Sequence, residues 1–124
     1  MFTRTGADVG TAMTAVNCES TVLASTDPSI FILGTRDEAI PLRQQVEQAL
    51  DRSELAVCVD FCGTTVTQSF IDELVGVLIL RRGPSVLQRL GFRQCSEEVQ
   101  AVIRFVVSSR IRDFDRERAG LNPA

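Results

Sequence analysis

The sequence predicts one small, layered α/β domain, with a mostly parallel or mixed sheet covered by helices. A chain of 124 residues fits a single domain and can bury a sizeable core. The nearly continuous apolar run LAVCVDF, at 55–61, is typical of a central strand that is covered on both faces. From residue 30 onward, strand-like and helix-like segments alternate, and that order is typical of layered α/β domains.

The domain boundaries follow from changes in composition along the chain. Residues 1–28 are rich in Thr, Ala, Ser and Gly and show weak periodicity, which predicts an arm or a hairpin. Val16, Val22 and Leu23 could supply a strand within it. The folded domain is expected to span 29–115, and residues 116–124 are expected to form a loose tail.

A strand and a helix are predicted to open the folded domain. The apolar run at 30–33 ends at Gly34 and predicts a short strand. Thr35 and Glu38 have the spacing of a capping box at a helix start. Pro41 predicts that regular helix begins late, because proline disfavours helical geometry at the residue before it. The apolar face of this helix is predicted from Ala39, Leu42, Val46, Ala49 and Leu50.

After the central strand, the polar segment CGTTVTQ at 62–68 predicts a loop. A largely buried helix is predicted from about Ser69, because apolar residues cover most of its circumference. Ser69 is the predicted N-cap, with Asp72 at the reciprocal position. Gly83 and Pro84 predict a sharp end to this helix.

The remaining sequence predicts one more strand and one more helix. The strand is expected within 86–93, with a helical turn before it as the alternative. Ser96 is a predicted N-cap, and the following helix is expected to fray after about Asp113. Its apolar face is predicted from Val99, Val102, Ile103, Val106 and Val107.

Composition argues against several classes of function. The net charge is −3 and all thirteen basic residues are arginine, so a nucleic-acid partner is not expected. The arginines of the C-terminal half alternate with acidic residues, which is typical of a solvated helix face. The chain has no histidine, the commonest general base and the usual partner of a Ser or Cys nucleophile. The chain is therefore predicted not to be an enzyme and to need no cofactor.

The cysteines and the apolar runs bear on metal binding and location. Cys18, Cys58, Cys62 and Cys95 lack the two-residue spacing of zinc and redox motifs, so no metal site is expected. The cysteines are expected to be reduced. The longest apolar run, 74–80, is too short for a membrane span, and residues 1–10 lack the pattern of a signal peptide. A cytoplasmic location without membrane contact is therefore expected.

The segment from Asp60 to Gly76 carries most of the functional information. It combines a strand end, a hydroxyl-rich turn and a helix start, where free N–H groups favour an anion. Asp60 is predicted to brace the loop through the N–H groups of 63–65, or to hold an arginine such as Arg36. Asp72 and Glu73 are adjacent and point about 100° apart, so shared catalysis is not favoured. One of the two carboxylates is expected to face solvent and favour the helix dipole, and the other to make a local bond.

These residues resemble the STAS-like domain family, a domain of unknown function, over roughly Ile30 to Arg112. Thr35, Arg36 and Asp37 match an upstream element of the family, with Asp in place of Glu. The match to the central motif comprises Val59, Asp60, Phe61, Gly63, Ser69, Phe70, Asp72, Glu73, Leu74 and Gly76. The family is similar in turn to the anti-sigma-factor antagonists, the better-known STAS domains.

The resemblance implies a regulatory protein-interaction module that binds a GHKL-type (histidine-kinase-like) ATPase. In the antagonists, the partner kinase phosphorylates a serine at the start of the equivalent helix, and Ser69 occupies that position. A phosphate there would add about −1.5 to −2 charge and release the partner, with Asp72 and Glu73 adding repulsion. The implied interaction surface comprises Gly63, Thr64, Thr65, Thr67, Gln68, Ser69, Asp72 and Glu73.

Three other functions stay open at the level of sequence. The first alternative is a small-ligand or nucleotide-binding domain that uses the loop and helix start at 62–73. That loop has one glycine and no lysine, so it is unlike a phosphate-binding P-loop. An enzyme that uses carboxylates and arginines ranks last. The N-terminal arm could also add a strand to a neighbouring sheet and form a homodimer.

Overall fold

The computed structural model describes residues 18–25, 27, 29–30, 32–52 and 56–120. The predictions for Val16 and for residues 121–124 lie outside these ranges. The strands are β1 (Cys18–Leu23), β2 (Ile32–Leu33), β3 (Ala56–Asp60), β4 (Thr65–Val66) and β5 (Leu90–Arg93). The helices are α1 (Arg36–Arg52), α2 (Gln68–Ile71), a π-helical segment (Asp72–Gly76), α3 (Val77–Arg82), a 3-10 segment (Pro84–Gln88) and α4 (Glu97–Gly120).

The described strands form two parallel sheets, which confirms the predicted α/β class. The larger sheet has the order β1-β3-β5, and β2 pairs with β4 in a separate two-stranded sheet. The central position of β3 explains its nearly continuous apolar sequence, because Val57, Cys58 and Val59 are all buried. The helices pack against this strand and form one apolar core with it.

Strand β1 lies within the segment that was predicted to be an arm or a hairpin. It pairs in parallel with β3, with Thr21 opposite Cys58, whereas residues 1–17, which a hairpin within the arm would need, lie outside the described ranges. The N–H of Ala24 continues the ladder by donating to the Asp60 carbonyl at 2.8 Å. Residues 18–23 therefore belong to the sheet of their own chain.

Helix α1 begins at Arg36, so the predicted late start is wrong, and Pro41 lies inside the helix. The capping box is confirmed: the Glu38 N–H donates to Thr35 Oγ1 at 3.1 Å. In return, Glu38 Oε1 accepts from the N–H groups of Gly34 and Thr35 at 2.9 and 3.0 Å. Because these reciprocal bonds satisfy the helix start, the first turn forms ahead of Pro41.

The segments α2, π and α3 follow one another directly, and we call them together the central helix. Its N-cap is Thr67, whose hydroxyl accepts from the Phe70 N–H at 3.2 Å, so the prediction of Ser69 as the cap is wrong. The predicted loop before the helix also contains β4. Pairing of β4 with β2 leaves Thr67 in extended geometry, which is the conformation that an N-cap requires.

The C-terminal half matches the predictions in part. The central helix ends at Gly83, which has a φ of 87°, and the alternative of a helical turn before the last strand is correct. Ser96 Oγ accepts from the Val99 N–H at 3.2 Å, as predicted for an N-cap. Helix α4 does not fray after Asp113 but continues to Gly120. Arg110 and Arg116 both pair with Asp113 at 2.8 and 3.3 Å and hold that turn.

Two further observations concern the cysteines and the membrane. Cys58 is fully buried and disulfide-bonded, so the expectation of reduced cysteines is wrong for this residue, whereas Cys62 and Cys95 are free. Spacing along the chain could not reveal this, because strand pairing decides which side chains meet. Burial raises the pKa of the Cys95 thiol to about 12. Within the described ranges, none of the helices is long and apolar enough to cross a bilayer.

Candidate functional site

Four residues of the predicted interaction surface lie exposed where β4 leads into the central helix. They are Gly63, Thr65, Gln68 and Ser69. Thr65 pairs with Ile32 across the two-stranded sheet, and the Ile32 side chain is 61% exposed beside them. We call these five residues the loop–helix surface. It combines small polar side chains, a serine hydroxyl and one apolar side chain.

Two threonines of the same predicted surface have structural roles instead. Thr64 is buried, and its hydroxyl donates to the Phe61 carbonyl at 2.6 Å. The Thr67 hydroxyl donates to the Gly34 carbonyl at 2.8 Å, and its N–H donates to the Leu33 carbonyl at 3.1 Å. Because these bonds join the start of the central helix to the chain before α1, Thr67 fixes the relative position of the two helix starts.

Asp60 braces the loop, but through other partners than the predicted ones. Its Oδ1 accepts from the Cys62 N–H at 2.8 Å, and its Oδ2 accepts from Gln94 Nε2 at 3.1 Å. The predicted bonds to the N–H groups of 63–65 and to Arg36 are replaced by these two. The bond from the Cys62 N–H to the carboxylate two residues earlier is that of an Asx-turn, and the φ of 53° at Cys62 then redirects the chain that follows.

Asp72 is nearly buried and is held by two arginines from other helices. Arg110 from α4 donates from Nε and Nη2, the latter at 2.7 Å, and Arg36 Nη1 lies 3.0 Å from Oδ2. Burial pushes the pKa of Asp72 upward, but the bonds from Arg110 and Arg36 outweigh it, so this pKa is below its usual value. The Asp72 carboxylate is therefore charged, and both of its oxygens already have arginine partners.

Glu73 has two arginine partners from α1. Arg43, itself buried, lies 3.2 Å from Glu73 Oε2 and also binds Glu47 at 2.8 Å. Arg36 is more distant, with Nη1 at 3.9 Å from Glu73 Oε1. The interpretation that one of the two carboxylates faces solvent is therefore wrong. The sequence reasoning missed Arg43 and Arg110 because partners from other helices leave no local spacing signal.

Gly76 is required by the contact between Asp72 and Arg110. A Cβ atom at position 76 would lie 2.5 Å from Asp72 Oδ1 and 3.1 Å from Arg110 Cγ. Asp72 and Gly76 are four residues apart and therefore share one helix face. Arg110 crosses the central helix directly over this glycine. A glycine inside a helix is a sign of a close approach, but it does not show which side chain makes that approach.

The comparison with protein families gives one match. A family described as a STAS-like domain of unknown function (DUF4325) matches residues 38–100. The chain belongs to this family. No curated protein and no solved structure matches it. In this STAS-like domain, Arg36 and Arg110 both lie outside the matched span, although both contact Asp72 within it.

Two features of the described residues bear on the binding of metals and small ligands. Among them, no group of three or more His, Cys, Asp or Glu side chains could hold a metal ion. An open groove of about 320 Å³ lies between β1 and α1, lined by residues 21–25, Leu42 and Gln45. None of these residues belongs to the segment 62–73, so this groove does not provide a pocket at the position predicted for a nucleotide.

Proposed function

We propose that this STAS-like domain is a regulatory protein-interaction module that binds a GHKL-type ATPase through the loop–helix surface. The proposed switch is phosphorylation of Ser69, and the domain itself needs no catalytic activity for this role. One observation carries the proposal: Ser69 is exposed at the start of the central helix, whereas Asp72 and Glu73, one turn later, are bound internally by arginines. The hydroxyl is thus accessible on a rigid element.

The switch is a local change in charge. Ser69 Oγ would form a bond to the γ-phosphorus of ATP while the bond to the β–γ bridging oxygen breaks, which releases ADP and the hydroxyl proton. The phosphate adds about −1.5 to −2 charge to a surface that a partner would contact as neutral. Asp72 and Glu73 are already balanced by Arg36, Arg43 and Arg110, so the new charge itself weakens binding, rather than carboxylate repulsion.

The proposal can be tested by affinity capture from the source cell, followed by mass spectrometry. The baits are the wild type, Ser69→Glu, and Ser85→Glu as a matched control. Ser85 is also exposed but follows the far end of the central helix, about 20 Å from its start by helical rise. We expect the wild type and Ser85→Glu to retain the same GHKL ATPase, and Ser69→Glu to lose most of it.

Each other outcome changes the proposal in a defined way. An ATPase retained equally by all three baits would remove Ser69 as the control point but keep the interaction. Failure of every bait to capture an ATPase would contradict the proposed partner class. Incubation of the captured ATPase with the domain and ATP then tests the modification, because intact mass reports whether one phosphate is added to the wild type and none to Ser69→Ala.

A further inference from the structure

Arg36 contacts the two residues that lie one helical turn after the proposed switch, and it is only loosely held. It is the first residue of α1, and its side chain is 51% exposed. One of its terminal nitrogens, Nη1, contacts both Asp72 Oδ2 at 3.0 Å and Glu73 Oε1 at 3.9 Å. Arg110, by contrast, contacts Asp72 through two nitrogens, Nε and Nη2. A single-nitrogen contact near solvent is easily exchanged.

Neither carboxylate depends on Arg36 for its charge balance. Asp72 keeps the two-nitrogen contact with Arg110, and Glu73 keeps Arg43, whose Nε and Nη2 lie 3.3 and 3.2 Å from Oε2. Loss of Arg36 from this cluster would therefore leave no unpaired buried charge. Breaking a buried ion pair is usually costly because one buried charge loses its partner. Removal of Arg36 leaves no such charge, so this cost does not arise.

The same helix face carries Ser69. On a helix, residues three and four positions apart are neighbours, so Asp72 and Glu73 flank the face on which Ser69 lies one turn earlier. The Thr67 hydroxyl bond to the Gly34 carbonyl, at 2.8 Å, keeps the start of α1 beside the start of the central helix. Because Arg36 Nη1 contacts Asp72 and Glu73, which follow Ser69 by three and four residues, its guanidinium lies about one helical turn along from position 69.

We infer that Arg36 is the residue that binds a phosphate on Ser69, by leaving Asp72 and Glu73 for the phosphate oxygens. This inference rests on the proposed modification of Ser69 and assigns its intramolecular receptor. A phosphate dianion attracts a guanidinium more strongly than a carboxylate that already has an arginine of its own. The result is a new link between α1 and the central helix, made only in the phosphorylated protein.

The test uses full-length protein with phosphoserine installed at position 69 during translation, so that no kinase is needed. The second pKa of the phosphoserine, ordinarily about 6, is followed by ³¹P NMR titration. The charged groups one helical turn along from this position are Asp72 and Glu73 of the central helix, with Arg36 from α1 on both and Arg110 from α4 on Asp72, and Asp37 follows Arg36 in sequence. The compared proteins are the wild type, Arg36→Gln, Arg36→Lys, and Arg104→Gln, which removes an exposed arginine on α4.

We expect the pKa of the phosphoserine to be about 0.5–1 unit lower in the wild type than in Arg36→Gln, with screening limiting the shift at this exposed position. Arg104→Gln should match the wild type, and Arg36→Lys should lie between the extremes. Equal midpoints in wild type and Arg36→Gln would overturn the inference, as would an equal shift in Arg104→Gln. Should Arg36→Gln not fold, a wild-type midpoint equal to that of Arg36→Lys and of free phosphoserine would also overturn it.

The result does not depend on any partner protein. A domain that captures no ATPase would contradict the proposed function, yet the encoded phosphoserine would still report whether Arg36 binds it. Conversely, a phosphorylated domain whose Arg36 has no effect on the phosphate would leave the switch intact and remove only this receptor. The two failures are therefore distinguishable.

Discussion

Among single residues, Gly76 shows most clearly how a contact between distant parts of the chain constrains one position. In an ordinary helix interior, alanine is more favourable than glycine by about 1 kcal/mol. Here the side chain of Arg110 and the Asp72 carboxylate fill the space that a methyl group would need. The glycine permits the Arg110 side chain to pack against the helix while it binds Asp72. A residue of low helical propensity is therefore kept at this position, because the contact needs the space.

We therefore predict that Gly76→Ala destabilises the protein by about 1–3 kcal/mol, although the same change usually stabilises a helix. The physical reason is the 2.5 Å approach of a new Cβ to Asp72 Oδ1. Urea unfolding followed by circular dichroism measures the free energy of unfolding. A stabilised variant would show that Arg110 does not cross the helix at this glycine.

The matched control is the same substitution in an Arg110→Ala background. With the Arg110 side chain removed, Asp72 can rotate away, and the cost of Gly76→Ala should fall by at least about 1 kcal/mol. The coupling between the two positions is then read from the double-mutant cycle. Strictly additive effects would place the strain at another contact.

Among the elements, the start of the central helix carries two hydroxyl side chains that have different roles. Thr67 caps the helix and holds the chain before α1, whereas Ser69 lies exposed in the first turn. The two residues are close in sequence and similar in chemistry. Their difference comes from β4, which holds Thr67 in extended geometry and leaves Ser69 already helical.

This difference predicts contrasting effects of two alanine substitutions. Thr67→Ala should lower the free energy of unfolding by about 1–2 kcal/mol, because it removes the cap and the bond to the Gly34 carbonyl. Ser69→Ala should change it by less than about 0.5 kcal/mol, since the hydroxyl is exposed. Thermal and chemical unfolding of both variants provides the measurement. A larger loss from Ser69→Ala would restore Ser69 as the cap and weaken its proposed role as a free acceptor.

Across the whole molecule, a chain of ion pairs connects α1, the central helix and α4. Asp72 joins Arg36 to Arg110, while Glu73 and Arg43 continue to Glu47, which Arg81 also contacts at 3.2 Å. Exposed pairs in this chain contribute little individually. The pair of Asp72 and Arg110, in which the aspartate is nearly buried, is the one whose loss should be measurable.

We predict that Asp72→Asn lowers the free energy of unfolding by about 1–3 kcal/mol at pH 7, and that this difference shrinks in acid. Because the pKa of Asp72 is lower in the folded protein, its stabilisation is complete above the unfolded pKa of about 3.9 and is lost as pH falls through the folded value. Urea unfolding between pH 7 and pH 3 measures the effect.

The control for this pH dependence is Asp115→Asn, which neutralises an exposed aspartate on α4. The free energy of unfolding of this variant should stay within about 0.5 kcal/mol of the wild-type value at every pH. A difference between Asp72→Asn and wild type that stays constant down to pH 3 would contradict the lowered pKa. A control that behaves like Asp72→Asn would point to net charge instead of the Arg110 contact.

How much of this molecule was predictable depended on the range of the interaction. Local patterns identified the buried strand β3, the capping box of Thr35 and Glu38, the cap at Ser96 and the stop at Gly83, because each depends on neighbours within a few residues. They failed at Pro41, where the completed cap outweighed the proline, and at Asp113, where pairing with Arg110 and Arg116 extends the helix.

The sequence by itself determined the α/β class, the family and the presence of a serine at the start of the central helix. Only the tertiary structure decided that residues 18–23 join the central sheet, that Thr67 and not Ser69 is the cap, and which arginines hold Asp72 and Glu73. The physical reason is that hydrophobic periodicity and capping are encoded within a few residues. Partners from separate helices meet only when the core packs, so no spacing along the chain records them.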